Sequence, residues 1–210
     1  MQDINIPQHD DQNAFVDFIV TRWRVLAALI VAVLVTVAGY AYYQHVRQQA
    51  KVQAENNLGM IIATKTGPER MNALEDFLKT APSSAKDAVL LEIARTSMDQ
   101  GKFDRAAQAW GDLSMSAPEG MRTVAAIGQA TTLAQAGSKD KAVKLLVDLL
   151  PKAPPAFQLP VARQLASLAE DAQMYPEAVA AYERLREAAG SAGNKAFYDA
   201  KIADLKSKIK

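Results

Sequence analysis

The run from Val25 to Tyr43 contains no charged residue, and it constrains the fold of this chain more than any other feature. As a helix, its 19 residues would extend about 28 Å, close to the roughly 30 Å hydrocarbon core of a bilayer. A helix also pairs every backbone N–H and C=O internally, as lipid requires. Trp23 precedes the run and three tyrosines end it, and such rings favour the two membrane interfaces. The run therefore predicts a single transmembrane helix over residues 25–43.

Two alternatives for this run are a buried core helix and a cleaved signal peptide. A core helix usually carries a polar face, and this run has none. A signal peptide has an apolar region of about 7–15 residues near the N-terminus, whereas this run is longer and follows 24 mostly polar residues. The step Gly39-x-Ala41 resembles a weak cleavage site. We favour a retained anchor, which divides the chain into an N-terminal tail (1–24), the anchor (25–43) and one domain (44–210).

The basic residues around the run give almost no information on its orientation. Arg22 and Arg24 precede it, and Arg47 and Lys51 follow it, so the two flanks tie. A short tail, two abutting arginines and a large C-terminal domain nevertheless resemble an uncleaved signal-anchor. We therefore expect the N-terminus in the cytoplasm and the domain outside the cytoplasm.

Composition excludes several classes of function. The net charge is +1, and there is no dense basic stripe of the kind that binds nucleic acid. Cysteine is absent, which excludes disulfides and thiolate chemistry. The two histidines, His9 and His45, flank the apolar run, so the domain from residue 46 onward lacks a histidine base or metal ligand. Serine-hydrolase, phosphate-loop and dinucleotide motifs are also missing. We therefore predict no catalytic residue, no cofactor, no metal site and no enzymatic activity.

A period of 36 residues runs through the rest of the chain. Three sets of markers share it, namely Pro82, Pro118 and Pro154, then Gly101 and Gly137, then Ala106, Ala142 and Ala178. Self-similarity at an interval between 20 and 50 residues indicates a repeat architecture. No stretch alternates with the period of two that marks a strand. The sequence predicts an all-α fold, although an irregular bundle with prolines matching by chance is the alternative.

Each period holds two predicted helices. The pairs cover 87–100 with 103–114, 121–136 with 139–150, and 159–173 with 176–189. A helix over 69–79 follows the break at Gly67-Pro68, and its partner is the helix that leaves the anchor. The prediction is about three and a half helix pairs, closed by a capping helix over 194–210.

The markers also have physical roles within each pair. Gly101 ends a helix where a left-handed residue costs little. The small Ala106 lets the two helices approach closely, the bulky Trp110 fills the space between adjacent pairs, and Pro118 ends the second helix. This order of small and large residues with a closing proline resembles the tetratricopeptide repeat (TPR), which implies an α-solenoid.

The chain departs from the TPR pattern at several positions. Its period is 36 rather than 34. Leu90, Ala126 and Ala162 stand where an aromatic residue is typical of the first helix. In the last repeat, Gln173 replaces the turn glycine and Gly190 replaces the proline. We therefore interpret the domain as a divergent, TPR-like array.

The last segment, 194–210, is predicted to cap the array. Phe197, Ile202, Leu205 and Ile209 fall on one face, with lysines mostly elsewhere. Terminal repeats need a cap with a polar outer side. The alternative is a basic segment that binds lipid headgroups.

Stacked helix pairs form an extended concave surface, which repeat proteins use for binding. In the TPR register the first helix of each pair lines this surface. The candidate protein-binding residues are Arg95, Met98, Asp99, Ile127, Thr131, Gln135, Arg163, Ser167 and Glu170. Their mixture of apolar and singly charged groups suits an extended or unfolded polypeptide, while the alternative for each is an ordinary surface position.

The complete layout resembles the ancillary subunit family of the Sec translocon, the YfgM-like proteins of Gram-negative bacteria. The most similar stretches are N-A-F-V-D-F at 13–18, leading to Trp23, and A-L-E-D-F-L at 73–78, leading to Pro82. The resemblance implies a periplasmic domain on the inner membrane, association with the SecYEG channel, a membrane-anchored periplasmic chaperone as partner, and no enzymatic activity.

Three functional hypotheses follow. The first is a membrane-anchored scaffold that assists emerging secreted chains at the translocon. The second is a general TPR adaptor of the envelope, in cell division or outer-membrane assembly. The third is an anchored hydrolase that depends on a single acid such as Glu170. Partners recovered by co-purification would separate the first two hypotheses.

Overall fold

The computed structural model describes residues 11–189 and 195–209, and these residues are almost wholly helical, with no strand among them. The prediction of an all-α fold is confirmed for this part of the chain. The helices are α1 (Asp11–Thr64), α2 (Gly67–Thr80), α3 (Ser83–Asp99), α4 (Phe103–Ser116), α5 (Glu119–Gln135), α6 (Lys139–Leu149), α7 (Pro155–Asp171), α8 (Tyr175–Ala188) and α9 (Lys195–Lys208). A short 3₁₀ turn (Leu150–Lys152) follows α6.

The chain divides into two compact units, Met1–Val52 and Gln53–Lys210. The first unit contains most of α1, which has one non-helical residue at Arg22. Of the predicted N-terminal tail, residues 1–10 lie outside the described residues, and the rest is helical from Asp11 onward.

The apolar part of α1 is exposed along its length. From Arg22 to Thr64 the helix is long and apolar enough to span a membrane, and none of its most apolar window is buried. Within this part the Thr36 hydroxyl donates a hydrogen bond to the Ala32 carbonyl at 2.8 Å, so its hydrogen-bonding partner lies on the same helix.

The second unit begins with the end of α1, from Gln53, and continues through α2 to α9. The predicted second helices of the pairs agree with α4, α6 and α8 to within two residues. The first helices, α3, α5 and α7, begin two to four residues earlier than predicted. The cause is the helix cap: Pro82, Pro118 and Pro154 each precede a helix directly, with ψ of 151°, 157° and 149°. Each of these prolines therefore marks the start of the next helix as well as the end of the preceding one.

The turns within the three complete pairs share one conformation. Gly101, Gly137 and Gln173 have φ of 69°, 84° and 60°. The next amide in each turn donates back to the carbonyl five residues earlier, at 2.8 Å in every case. This is the Schellman arrangement, which satisfies the last carbonyls of a helix. The third turn therefore keeps the left-handed residue but builds it from glutamine.

Small residues bring the helices of each pair together. Ala106, Ala142 and Ala178 are fully buried, as their spacing predicts. Two hydrophobic clusters form the core, one around Leu74, Ile93 and Leu113 and the other around Leu146, Val161 and Leu205. Both clusters include residues of α5, which makes it the central helix of the array.

Trp110 lies between α4 and α5, as predicted for a side chain that fills the space between pairs. A Cβ atom on Gly128 would lie 2.8 Å from the Trp110 ring, and one on Gly111 would lie 2.6 Å from Gln129. Both distances are below van der Waals contact, but the end of the Gln129 side chain can move away, whereas the Trp110 ring is rigid. Gly128 therefore permits the close approach of α4 and α5.

The predicted face of the capping helix is only half correct. Ile202 and Leu205 are buried, but Phe197 and Ile209 are 46% and 43% exposed. The buried side of α9 contacts α8 and runs through Tyr198 instead. Phe197 lies in the first turn of this 14-residue helix, and Ile209 follows its last residue. Gly190, which stands in place of the closing proline in the last repeat, lies outside the described residues.

Candidate protein-binding surface

The outer side of α3, α5 and α7 carries all nine predicted binding residues. Each of these helices opens a pair, and α5 contacts α7 directly. None of the nine is fully buried: the exposed ones are Arg95, Asp99, Gln135, Arg163 and Ser167, and the half-buried ones are Met98, Ile127, Thr131 and Glu170. The structure therefore places the predicted residues on the exposed and half-buried sides of α3, α5 and α7.

The α5 residues Ile127 and Thr131 are half-buried in this surface. Ile127 packs against the second core cluster with part of its side chain exposed. The Thr131 hydroxyl donates to the Ile127 carbonyl at 3.0 Å and accepts from Gln164 Nε2 at 3.2 Å. Gln164 thus joins α7 to α5, a role that sequence reasoning missed because the two residues are 33 positions apart.

Glu170 differs from the open surface group that was expected. Its carboxylate accepts from Lys201 Nζ at 2.6 Å and from the Tyr182 hydroxyl at 2.9 Å. The Lys201 hydrogen bond lowers the pKa of Glu170 despite partial burial. Burial, followed by the bond to Glu170, raises the pKa of Tyr182 to about 12. Glu170 therefore ties α7 to α8 and α9, and its ionised state does not suit a general acid.

The neighbouring Asp171 makes a separate ion pair, with Lys139 Nζ at 2.7 Å. Adjacent helical residues point in different directions, and here they reach different helices. Among the described residues no cluster of three or more carboxylates or histidines has the geometry to hold a metal ion.

An apolar stripe on the same side was not predicted. It lies one to two helical turns N-terminal to the predicted residues and includes Leu91, Val124 and Leu159, which are 37%, 42% and 37% exposed. Exposed Ala88 and Pro160 occupy the same register as Val124 on their own helices. The 36-residue period could have found this row, because it aligns Ala88 with Val124 and Pro160.

Two arginines lie beside the apolar stripe. Neither Arg95 nor Arg163 forms an ion pair within the described parts of the chain. Arg95 has Glu92 and Asp99 within one helical turn on α3. Arg163 has no acidic residue within a turn on α7, so its charge is not locally compensated.

The sequence matches the family of tetratricopeptide repeat-like domains over residues 17–207. The chain belongs to this family. The match begins at residue 17, so it includes the apolar part of α1 as well as the repeats. No curated protein matches the chain. TPR-like domains mediate protein–protein interactions and are typically non-catalytic scaffolds.

Proposed function

We propose that the protein is a membrane-anchored scaffold that binds other polypeptides through the outer side of α3, α5 and α7. One observation carries the proposal: a single helix, α1, contains both the exposed apolar run and the first helix of the TPR-like unit. An exposed apolar helix of this length is unfavourable in water and favourable in a bilayer. The lack of a polar face on the run argues against a soluble core helix.

The specific form of the proposal is an ancillary subunit of the Sec translocon. In this form the anchor lies in the bacterial inner membrane, the TPR-like unit is periplasmic, and the partners are SecYEG, a membrane-anchored chaperone and emerging secreted chains. Its support is the resemblance in layout and in the stretches at 13–18 and 73–78. A general envelope adaptor shares the anchor and the repeats but differs in partners, so co-purification separates the two.

Topology is tested with single cysteines, because the native chain has none. Ser207 is exposed on α9, where its hydroxyl donates a hydrogen bond to the nearby Asp204 carbonyl. We expect Ser207→Cys to react with a membrane-impermeant maleimide in cells with a permeabilised outer membrane. The matched variant Gln2→Cys should react only after detergent is added. The reverse pattern would place the repeats in the cytoplasm and remove the translocon proposal.

Partner binding is tested by site-specific photocrosslinking in cells. A photoreactive residue at exposed Gln135 on α5 should crosslink to translocon subunits, the chaperone or secreted chains. The control is the same residue at Lys144, which is exposed on α6. Equal crosslinking from both positions, or crosslinks to neither class of partner, would contradict the proposed surface.

A further inference from the structure

The outer side of α3, α5 and α7 is chemically divided along the helices. The C-terminal half carries polar residues such as Arg95, Asp99 and Gln135, whereas the N-terminal half carries the apolar stripe. In α5 no charged residue occurs from Thr123 to Gln135, although Val124 is 42% exposed. A solvent-facing helix normally carries charges on its outer side. The uncharged α5 therefore indicates that this part of the surface is adapted to an apolar ligand.

The third helix ends the stripe with a positive charge. In the 36-residue register, Leu91 on α3 and Ile127 on α5 align with Arg163 on α7. Arg163 is exposed and has no ion pair within the described residues. A partner that crosses from α3 to α7 thus meets two apolar positions and then an uncompensated guanidinium. An acidic side chain is the complement of that last position.

The backbone of α7 adds a polar group beside the stripe. Pro160 lies inside the helix and has no N–H to donate to the carbonyl of Ala156, four residues earlier. Ala156 is exposed at the N-terminal end of the stripe. Its carbonyl can accept a hydrogen bond from the backbone of an extended partner.

We infer that this surface selects extended segments with two apolar side chains followed by an acidic one, at intervals of about three residues. The inference rests on the proposed scaffold function and names its ligand class. The interval follows from the contact between α5 and α7: packed helices lie about 8–10 Å apart, and a polyproline II segment rises about 9 Å per turn of three residues. The 36-residue period places Leu91 of α3 one repeat before Ile127 in the same register. Each third side chain then faces the next helix. The apolar side chains contact Leu91 and Ile127, and the carboxylate contacts Arg163.

The test uses the full chain in lipid nanodiscs and fluorescein-labelled peptides with blocked ends. The acidic probe is Ser-Leu-Ser-Ser-Leu-Ser-Ser-Glu-Ser, made in this order and in reverse. The basic probe replaces its Glu by Lys. Binding is measured by fluorescence anisotropy, with empty nanodiscs as the baseline. We expect the acidic probe in its better order to bind about fivefold more tightly than the basic probe.

Two variants assign the effect to the stripe and to the arginine. Val124→Asp should weaken both probes about tenfold, since it places a charge in the apolar part. Arg163→Glu should reverse the preference for the acidic probe. The matched controls are Val147→Asp, at a valine that is 40% exposed on α6, and Lys144→Glu. Both controls should leave the affinities unchanged, and circular dichroism checks that every variant is folded.

Several results would overturn the inference. Equal affinity for the two probes, a preference that survives Arg163→Glu, or a loss with Val147→Asp as large as that with Val124→Asp would each do so. Failure of every probe to bind at millimolar concentration would also reject it. Crosslinking from Gln135 in cells separates that failure from failure of the scaffold function. Crosslinks without peptide binding reject only the ligand class, whereas loss of both rejects the scaffold function itself.

Discussion

Trp110 and Tyr182 occupy the same position in the repeat, two periods apart, and the two sites are stabilised in different ways. Trp110 lies against Gly128, so close that a Cβ atom there would be 2.8 Å from the ring. Its indole Nε1 is buried without a hydrogen-bond partner among the described residues. Tyr182 instead donates its hydroxyl to Glu170 at 2.9 Å. Close apolar contact holds the first site, and a hydrogen bond to a charged group holds the second.

The turns show the same contrast. Gly101 and Gly137 adopt the left-handed conformation at little cost, whereas Gln173 adopts it with a side chain, at φ of 60°. The N-terminal pairs thus follow the common repeat pattern, and the last pair departs from it. The repeat period therefore fixes the backbone position and conformation of each site, whereas the residue type at that site and its contacts vary along the array.

The largest expected effect is at the apolar site. Trp110→Ala should lower the free energy of unfolding by about 3 kcal/mol, because the space between the pairs cannot close fully around the missing ring. Urea unfolding of the full chain in mild detergent, followed by circular dichroism, measures this. Trp23→Ala is the control, since Trp23 is 59% exposed on α1. A loss below about 1 kcal/mol would show that Trp110 does not fill the interface.

The second prediction tests the contact between Trp110 and Gly128 directly. Gly128→Ala should destabilise the native chain by about 1–2 kcal/mol, because the added methyl group overlaps the ring. In the Trp110→Ala background the same change should stabilise by up to about 1 kcal/mol, since alanine is the better helix former. A double-mutant cycle measures the difference. Equal effects in both backgrounds would exclude steric contact as the reason for the glycine.

The third prediction concerns the turns, where the effects are smaller and opposite in sign. Gln173→Gly should raise the free energy of unfolding by roughly 0.5–1 kcal/mol, because glycine removes the cost of a left-handed residue with a Cβ atom. Gly137→Gln should lower it by about 1 kcal/mol. Thermal and urea unfolding of both variants measure the pair. If Gln173→Gly fails to stabilise the chain, or destabilises it, the Gln173 side chain compensates the strain of its own backbone.

The sequence predicts the helices well because proline and glycine act locally. Prolines at 82, 118 and 154 separate one pair from the next, and the left-handed turns leave a glycine at two of three positions. The starts of α3, α5 and α7 were placed too late because each proline was interpreted as the end of the preceding helix, whereas it is also the N-cap of the next one. The setting of Glu170 could not be predicted, since its partners Tyr182 and Lys201 lie 12 and 31 residues away. Local patterns identify the elements, whereas contacts between elements require the fold.

The smallest expected effect is at the polar site, where the comparison with Trp110 can be tested by pH. Glu170→Gln should destabilise the chain by about 0.5 kcal/mol at neutral pH, because it removes the charge that Lys201 and Tyr182 bind at a partly solvent-screened site. The folded state lowers the pKa of Glu170 below its ordinary value of 4.5, chiefly through the hydrogen bond from Lys201. The contribution of the carboxylate is therefore complete above that value and is lost as the pH falls through the lowered pKa of the folded state.

Urea unfolding across the acidic range should show the variant and the native chain converging below pH 4.5. Glu187→Gln, at an exposed position without an ion pair among the described residues, should show no such convergence. A difference that stays constant with pH would mean that shape, rather than charge, holds the last pair together, as it does at Trp110.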